Sequence, residues 1–170
     1  DGPEYLTVFN GATGAAVNTV FYNPNRAGGL GGAPSHPSKS FWGDNYGGRA
    51  DRYLATVAYL AGKDENSSAV FVRGYYTRSY FWAVDFDGSK LKTRWLHAST
   101  DKNTVTVTDA DGHTTTTKHS RSTSGKGSAT AFGNGNHNLS CADVDGDGKD
   151  EIIMGSCAID DNGSLLYATG

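Results

Sequence analysis

Acidic side chains recur at alternate positions in Asp143-Val-Asp145-Gly-Asp147-Gly-Lys149-Asp150-Glu151, separated by glycines and one valine. Such a run cannot pack as a core strand, because neighbouring carboxylates repel and demand solvation or a counter-charge. At this spacing the oxygens can instead wrap one hard cation. Calcium takes about six to eight oxygen ligands from carboxylates and backbone carbonyls. The spacing predicts a calcium loop with Asp143, Asp145, Asp147, the Lys149 carbonyl and Glu151 as ligands. An EF-hand begins similarly but needs a bidentate Glu at its twelfth position. Counted from Asp143 that position is Met154, so the loop is a shorter one that closes at Glu151. Ile152-Ile-Met154 then reads as a strand, which puts the cation in a β-hairpin loop. The plain alternative is a solvated acidic turn.

A second constellation is cationic and aromatic. Trp42-Gly-Asp-Asn-Tyr-Gly-Gly-Arg49 leads on to Arg52, Arg73-Gly-Tyr75-Tyr76-Thr-Arg78 lies between two strands, and Gly135-Asn-His137-Asn138 precedes a third. Guanidinium groups grip carboxylates bidentately, and flat aromatic rings suit the apolar faces of sugars. Arg49, Arg52, Arg73, Tyr75, Tyr76, Arg78, His137 and Asn138 are therefore candidates for contact with an acidic polysaccharide. Each arginine has an alternative employment as the partner of Asp44, Asp51 or another acid. The tyrosines could equally fill gaps between sheets. His36, His97, His113 and His119 have no visible partner in the sequence, and His113 and His119 fall in a polar stretch.

The elements that must position these groups are strands. Short apolar runs end in turn dipeptides at Asn10-Gly11, Asp87-Gly88 and Asn162-Gly163, which are strong hairpin signals. Runs at 53–60 and 69–74 precede the second hairpin, and runs at 138–144 and 151–156 precede the third. Four short strands in sequence make one blade of a β-propeller. The expected architecture is all-β, in antiparallel four-stranded blades: half a blade at 1–21, a whole one at 51–97, and a calcium-binding one at 137–169. Sliding the second blade onto the third puts Tyr59, Ala61 and Lys63 where Asp143, Asp145 and Asp147 stand, so only the last can hold the cation. Residues 22–50 and 98–136 are long connections. Within the latter, Thr104-Val-Thr-Val-Thr108 before Asp111-Gly112 predicts a small protruding hairpin. Two or three blades leave open edges, so other blades or self-association are expected to complete the ring.

Composition agrees with this reading. The 170 residues carry 23 glycines and a formal charge of -3, which makes no case for nucleic acid or a membrane surface. No apolar run approaches the length of a membrane span. The abrupt opening on Asp1-Gly2-Pro3 is consistent with a leader removed before this point. Cys141 and Cys157 flank the acidic loop. If it is a hairpin turn they fall nearly opposite each other, and both a cross-strand disulfide and two small buried thiols are open.

These motifs resemble the rhamnogalacturonan lyases of polysaccharide lyase family eleven. The resemblance runs in order from Pro3-Glu-Tyr-Leu-Thr-Val-Phe-Asn-Gly-Ala-Thr-Gly14 through the two arginine motifs to Ala142–Ile152 and Ala158-Ile-Asp-Asp160. It implies an eight-bladed β-propeller of which this chain is about two and a half blades. It also implies a secreted, pectin-degrading activity that cleaves rhamnogalacturonan I by β-elimination. Such chemistry needs a neutralised uronate carboxylate and a base for its α-proton. His137 is expected on the catalytic face and the calcium loop on the opposite one, with a structural role. The loops 24–40 and 98–134 are longer than their family counterparts. A Gly-His-Gly-Asp motif of the family normally follows beyond Gly170, so the chain alone is expected to be incomplete for catalysis. The competing reading is a non-catalytic, calcium-dependent carbohydrate-binding or cell-surface module.

Overall fold

Side chains that alternate across strands stack this molecule in layers. The computed structural model describes residues 2–29, 32, 39–43, 48–74, 76–120, 128–135 and 137–169. His36, Asp44, Tyr46 and Tyr75, together with the basic stretch 121–127, lie outside the described residues. The strands are β1 (Tyr5–Phe9), β2 (Ala16–Phe21), β3 (Tyr53–Ala58), β4 (Ser68–Arg73), β5 (Ser79–Phe86) and β6 (Leu91–Ser99). They continue with β7 (Thr104–Asp109), β8 (Thr114–Lys118), β9 (Ser140–Ala142), β10 (Glu151–Met154), β11 (Cys157–Ile159) and β12 (Leu165–Ala168). One 3-10 turn, Lys39–Trp42, is the sole helical element among the described residues. No helix among them is long and apolar enough to cross a membrane.

Among the described residues every pairing is antiparallel between strands consecutive in sequence, giving sheets of two (β1–β2), six (β3–β8) and four (β9–β12) strands. The predicted turn dipeptides close their hairpins. Asn10 Oδ1 accepts the Ala12 and Thr13 N–H groups at 2.9 and 3.0 Å, and Asp87 Oδ1 accepts those of Ser89 and Lys90 at 2.9 and 2.8 Å. These side chains satisfy backbone donors that the turn would otherwise leave unpaired.

The middle sheet has six strands where four are expected. The Val/Thr hairpin does not protrude: β7 pairs along the outer edge of β6 and β8 pairs along β7. An open β6 edge would leave a row of unpaired backbone groups, and a β-branched strand satisfies it. Val105 is buried in the process, and Thr108 and Thr114 share a hydroxyl hydrogen bond at 2.8 Å.

The middle sheet is apolar on both faces. Val70, Val72, Phe81, Ala83 and Trp95 pack with Ile152, Met154, Cys157 and Ile159 of the four-stranded sheet. Their alternates, Phe71, Tyr80, Trp82, Val84, Leu96 and Ala98, face Leu6, Val20 and Tyr22 on the other side. Burying each Leu-, Ile- or Phe-sized side chain contributes about 1.5–3 kcal/mol, so the layers hold by these two cores. The period of two explains why β5 reads as an almost unbroken buried run.

His97, which sequence leaves without a partner, is fully buried at the seam of the two larger sheets. Nδ1 lies 2.8 Å from the Gly163 carbonyl in the β11–β12 turn, and Nε2 lies 2.8 Å from Ser99 Oγ. The cysteines do not pair. Cys141 stands opposite Ile152 of β10, and Cys157 stands on β11, beyond β10. Two strand spacings, roughly 9–10 Å, exceed the ~4.4–6.8 Å between α-carbons that a disulfide spans. Both thiols are free. The Cys157 thiol sits 3.1 Å from the Met154 carbonyl, and burial pushes its pKa up to about 12.

Candidate functional site

The acidic loop joins β9 to β10, and Glu151 is the first residue of β10. Strand pairing with Ala142 therefore pulls Glu151 into the interior while the preceding residues stay at the surface. The loop turns on Gly146 and Gly148, at φ of +85° and +90°, a backbone region that residues with a Cβ rarely adopt. This curl folds the chain back on Asp143, whose two carboxylate oxygens accept the Gly146 and Gly148 N–H groups at 2.7 and 3.0 Å.

Asp143, Asp145 and Glu151 each bring a carboxylate oxygen within 4.8 Å of the other two. Asp147 is not in that cluster. Its Oδ1 accepts the Lys149 N–H at 2.9 Å and its Oδ2 lies 3.3 Å from Lys149 Nζ. Glu151 is the telling member. It is 0% exposed, its Oε2 accepts the Val144 N–H at 2.7 Å, and its Oε1 has no partner. Burial raises its pKa, with the charges of Asp145 and Asp160 adding to the effect. A buried carboxylate oxygen without a donor costs about 1–3 kcal/mol or more, and a cation held with Asp143 and Asp145 would supply the missing charge. The donor set is all oxygen, the chemistry of a hard ion. A second group, Asp109, Asp111 and His113, gathers at the β7–β8 turn. It is solvent-exposed, and Asp109 Oδ1 already accepts the Asp111 and His113 N–H groups at 2.9 Å each.

The cationic constellation divides. Arg73 is not a surface grip: its side chain is 0% exposed. Its Nε donates to the Ala50 carbonyl at 2.8 Å, and its terminal nitrogens donate to Glu4 at 2.5 and 3.1 Å and to the Pro24 carbonyl at 3.1 Å. It also lies 5.1 and 5.0 Å from the rings of Trp42 and Tyr53. Four of the five guanidinium N–H donors are used, so Arg73 ties the start of β1 to the loops before β3. Burial works against the Glu4 carboxylate, but hydrogen bonds from Arg73 and Tyr53 outweigh it and hold its pKa below the ordinary value. Sequence reasoning gave Glu4 no role, although it lies in the 3–14 stretch, because a lone carboxylate there does not show which arginine it meets.

Arg49, Tyr76 and His137 do converge, from the segments before β3, between β4 and β5, and before β9. The Arg49 guanidinium lies 5.7 Å from the Tyr76 ring and donates to the Gly43 carbonyl at 2.7 Å. The Tyr76 hydroxyl is 2.9 Å from His137 Nε2. Tyr76 remains 49% exposed, so its ring meets solvent in this group. Arg78, two residues after Tyr76, is half-buried, donating to the Phe41 carbonyl at 2.5 Å with its guanidinium 4.5 Å from the Phe41 ring. Arg52 and Asn138 are exposed on the same flanking segments. The segments meet because Thr77 links both neighbours: its hydroxyl donates to the Trp42 carbonyl at 2.7 Å, and its own carbonyl accepts the Gly133 N–H at 2.8 Å. A planar cation, an amphipathic ring and an imidazole thus share one surface. That set can bind a carboxylate and a flat sugar face together.

Comparison with known proteins gives a consistent result. The chain matches the model of the C-terminal domain of rhamnogalacturonan lyase family 11 over residues 1–122 and 105–170. It is 45% identical over 169 residues to the rhamnogalacturonan exolyase YesX of Bacillus subtilis (strain 168), and 40% identical over 170 residues to the rhamnogalacturonan endolyase YesW of the same organism. Each alignment takes in 99% of this chain and 22% of the relative, so the chain spans about a fifth of their length. Among solved structures it is similar to exotype rhamnogalacturonan lyase YesX (TM-score 0.72, 43% identity, 99% of this chain and 22% of that one). It is likewise similar to a Bacillus licheniformis rhamnogalacturonan lyase (TM-score 0.72, 44% identity, 99% and 23%).

Proposed function

The chain belongs to rhamnogalacturonan lyase family 11, and from that membership we propose that it is a calcium-holding, polysaccharide-contacting segment of a secreted lyase. The lyase would act on rhamnogalacturonan I by β-elimination, and its catalytic domain would be a β-propeller. In this reading β1–β2 is half a blade (1–21), β3–β6 is a blade (51–97) that β7–β8 extend, and β9–β12 is the calcium blade (137–169). The stacking of consecutive antiparallel meanders face to face, with a shared core between each pair, supports it.

The chemistry sets the roles. Loss of the proton α to a uronate carboxylate builds charge on an anion, so the reaction needs that carboxylate neutralised and the sugar held still. Arg49 is the guanidinium beside the exposed Tyr76 ring, Arg78 follows two residues after Tyr76 with its guanidinium on Phe41, and Arg52 lies on a flanking segment. They would draw the galacturonate carboxylates to this surface. Tyr76 would support a sugar face and orient His137 through its hydroxyl, with Asn138 alongside. Arg73 would act only by keeping Trp42 and Ala50 in place. Calcium at Asp143, Asp145 and Glu151 would supply a structural cross-link between β9 and β10. No base is assigned to this chain.

The observation that carries the reading is the meeting of Arg49, Tyr76 and His137 from three separate segments. Its test is binding of the purified chain to rhamnogalacturonan, with ultraviolet absorbance of the unsaturated uronide followed in parallel. Binding that weakens about tenfold in Tyr76→Ala and His137→Ala, without product, is the expected result. The coverage of about a fifth of the relatives keeps a second reading, a binding module without catalysis of its own. Restored product on adding the remaining lyase segments would separate the two. Robust turnover by the isolated chain would overturn the proposed incompleteness, and no binding would overturn the contact surface.

A further inference from the structure

Asp150 belongs to the acidic motif, yet its carboxylate is not one of the clustered ligands. Its Oδ2 accepts the Tyr59 N–H at 2.8 Å, and its own N–H donates to the Tyr59 carbonyl at 3.2 Å. One loop residue thereby closes a two-bond clasp on the residue just beyond β3. Lys149 engages the opposite neighbour. Its Nζ donates to Asp161 Oδ2 at 3.0 Å in the β11–β12 turn, and the Asp161 carbonyl accepts the Trp95 indole N–H at 2.6 Å from β6. Glu151 follows directly and offers its oxygen to the cluster. Three successive residues thus connect the cation cluster with both larger sheets, and a side chain that is no ligand forms the link to β3.

We propose that the Asp150–Tyr59 clasp transmits occupancy of the cation loop to the seam between the six- and four-stranded sheets. An occupied loop closes the seam at β3, and an empty one loosens it. The proposal rests on the calcium reading above. Without a cation, three carboxylates within 4.8 Å repel one another, and the loop relieves this by expanding. Asp150 is covalently next to Glu151, so expansion drags the clasp. A cation that binds only the contracted loop shifts the population toward the clasped state. Asp150 is a positioning residue here, and its contribution is the acceptor rather than the charge. An asparagine keeps that acceptor, and an alanine loses it.

The test is amide hydrogen exchange at Tyr59, with calcium and with chelator, in the full chain and in Asp150→Asn and Asp150→Ala. Calcium affinity is measured on the same samples by calorimetry. Calcium should slow Tyr59 exchange about tenfold in the native chain and in Asp150→Asn, and no more than about twofold in Asp150→Ala. Affinity in Asp150→Asn should agree with the native chain within about threefold and fall about tenfold in Asp150→Ala, the same coupling read from the calcium site. Bound calcium with Tyr59 exchange indifferent to it overturns the clasp and leaves the calcium reading standing. Absence of calcium binding by the native chain removes both. An Asp150→Asn variant that behaves like Asp150→Ala also overturns the proposal, because charge rather than the acceptor would then be responsible. If Asp150→Ala does not fold, the native chain and Asp150→Asn still decide the outcome.

Discussion

Replacing His97 by Gln should remove a defined part of this protein's acid sensitivity. The Gly163 carbonyl can only accept, so Nδ1 carries the proton of a neutral ring, and Nε2 then accepts from the Ser99 hydroxyl. Ser99 Oγ in turn accepts the Ala131 N–H at 3.1 Å. Protonating Nε2 would place a second donor against that hydroxyl and a charge in a fully buried site. Burial is the main reason that the His97 pKa falls from 6.5 to about 4, and the neighbouring His119 adds to it. Phe81 from β5 and Val107 opposite on β7 bring no charge to relieve it. The sign follows directly. The unfolded chain binds the proton first, so His97 costs nothing above about pH 6.5 and destabilises progressively as the pH falls toward 4. Linkage gives a loss of about 2 kcal/mol by pH 5 and about 3 kcal/mol by pH 4. A glutamine can donate to Gly163 and accept from Ser99 while remaining neutral. The assay is urea unfolding followed by tryptophan fluorescence at pH 7, 6, 5 and 4. Carboxylate titrations are common to both proteins and cancel in the difference. His97→Gln should start less stable at pH 7, where its packing is worse, and lose about 3 kcal/mol less on going to pH 4. Parallel pH dependences for the two would refute the reasoning.

Three other outcomes follow from the same geometry. Arg73→Ala removes the hydrogen-bonded cation of the half-buried Glu4 carboxylate, leaving it only the longer Arg26 ion pair at 3.6 Å, and should cost about 3–5 kcal/mol in chemical denaturation, with only partial recovery in Arg73→Lys, because one ammonium cannot reach Glu4, Ala50 and Pro24 together; a loss below about 1 kcal/mol would contradict the buried network. Asp145→Ala should lower calcium affinity and thermal midpoint together, and a hundredfold excess of calcium over its Kd should stabilise the native chain by about 2.7 kcal/mol; melting curves identical with and without chelator would show that no such stabilisation exists. Gly155→Ala would set a Cβ 1.9 Å from the Asn134 carbonyl oxygen, at φ +61°. It should cost about 2 kcal/mol or more in thermal unfolding and shift the 134–137 segment, visible as an altered His137 ring signal in NMR; a stability within about 0.5 kcal/mol of the native chain would contradict that close approach.

Much of this molecule is legible in its sequence because the relevant physics is local. Asn10-Gly11, Asp87-Gly88 and Asn162-Gly163 determine their turns through backbone freedom and side-chain capping within three residues. The alternation of β-branched and polar residues makes the strands, and the spacing of Asp143, Asp145 and Glu151 makes the acidic loop. Only tertiary structure decides what depends on residues far apart in the chain. It withdraws Arg73 from the surface, because Glu4, 69 residues earlier, meets it in the interior. It gives His97 partners through Gly163, 66 residues later, and separates Cys141 from Cys157 by inserting β10 between them. It turns Asp150 toward Tyr59 while its neighbour Glu151 faces the cluster. A charge pattern announces which groups need partners, but the stacking of the sheets determines which partners come within about 3 Å, and hydrogen bonds and ion pairs do not extend much farther than that.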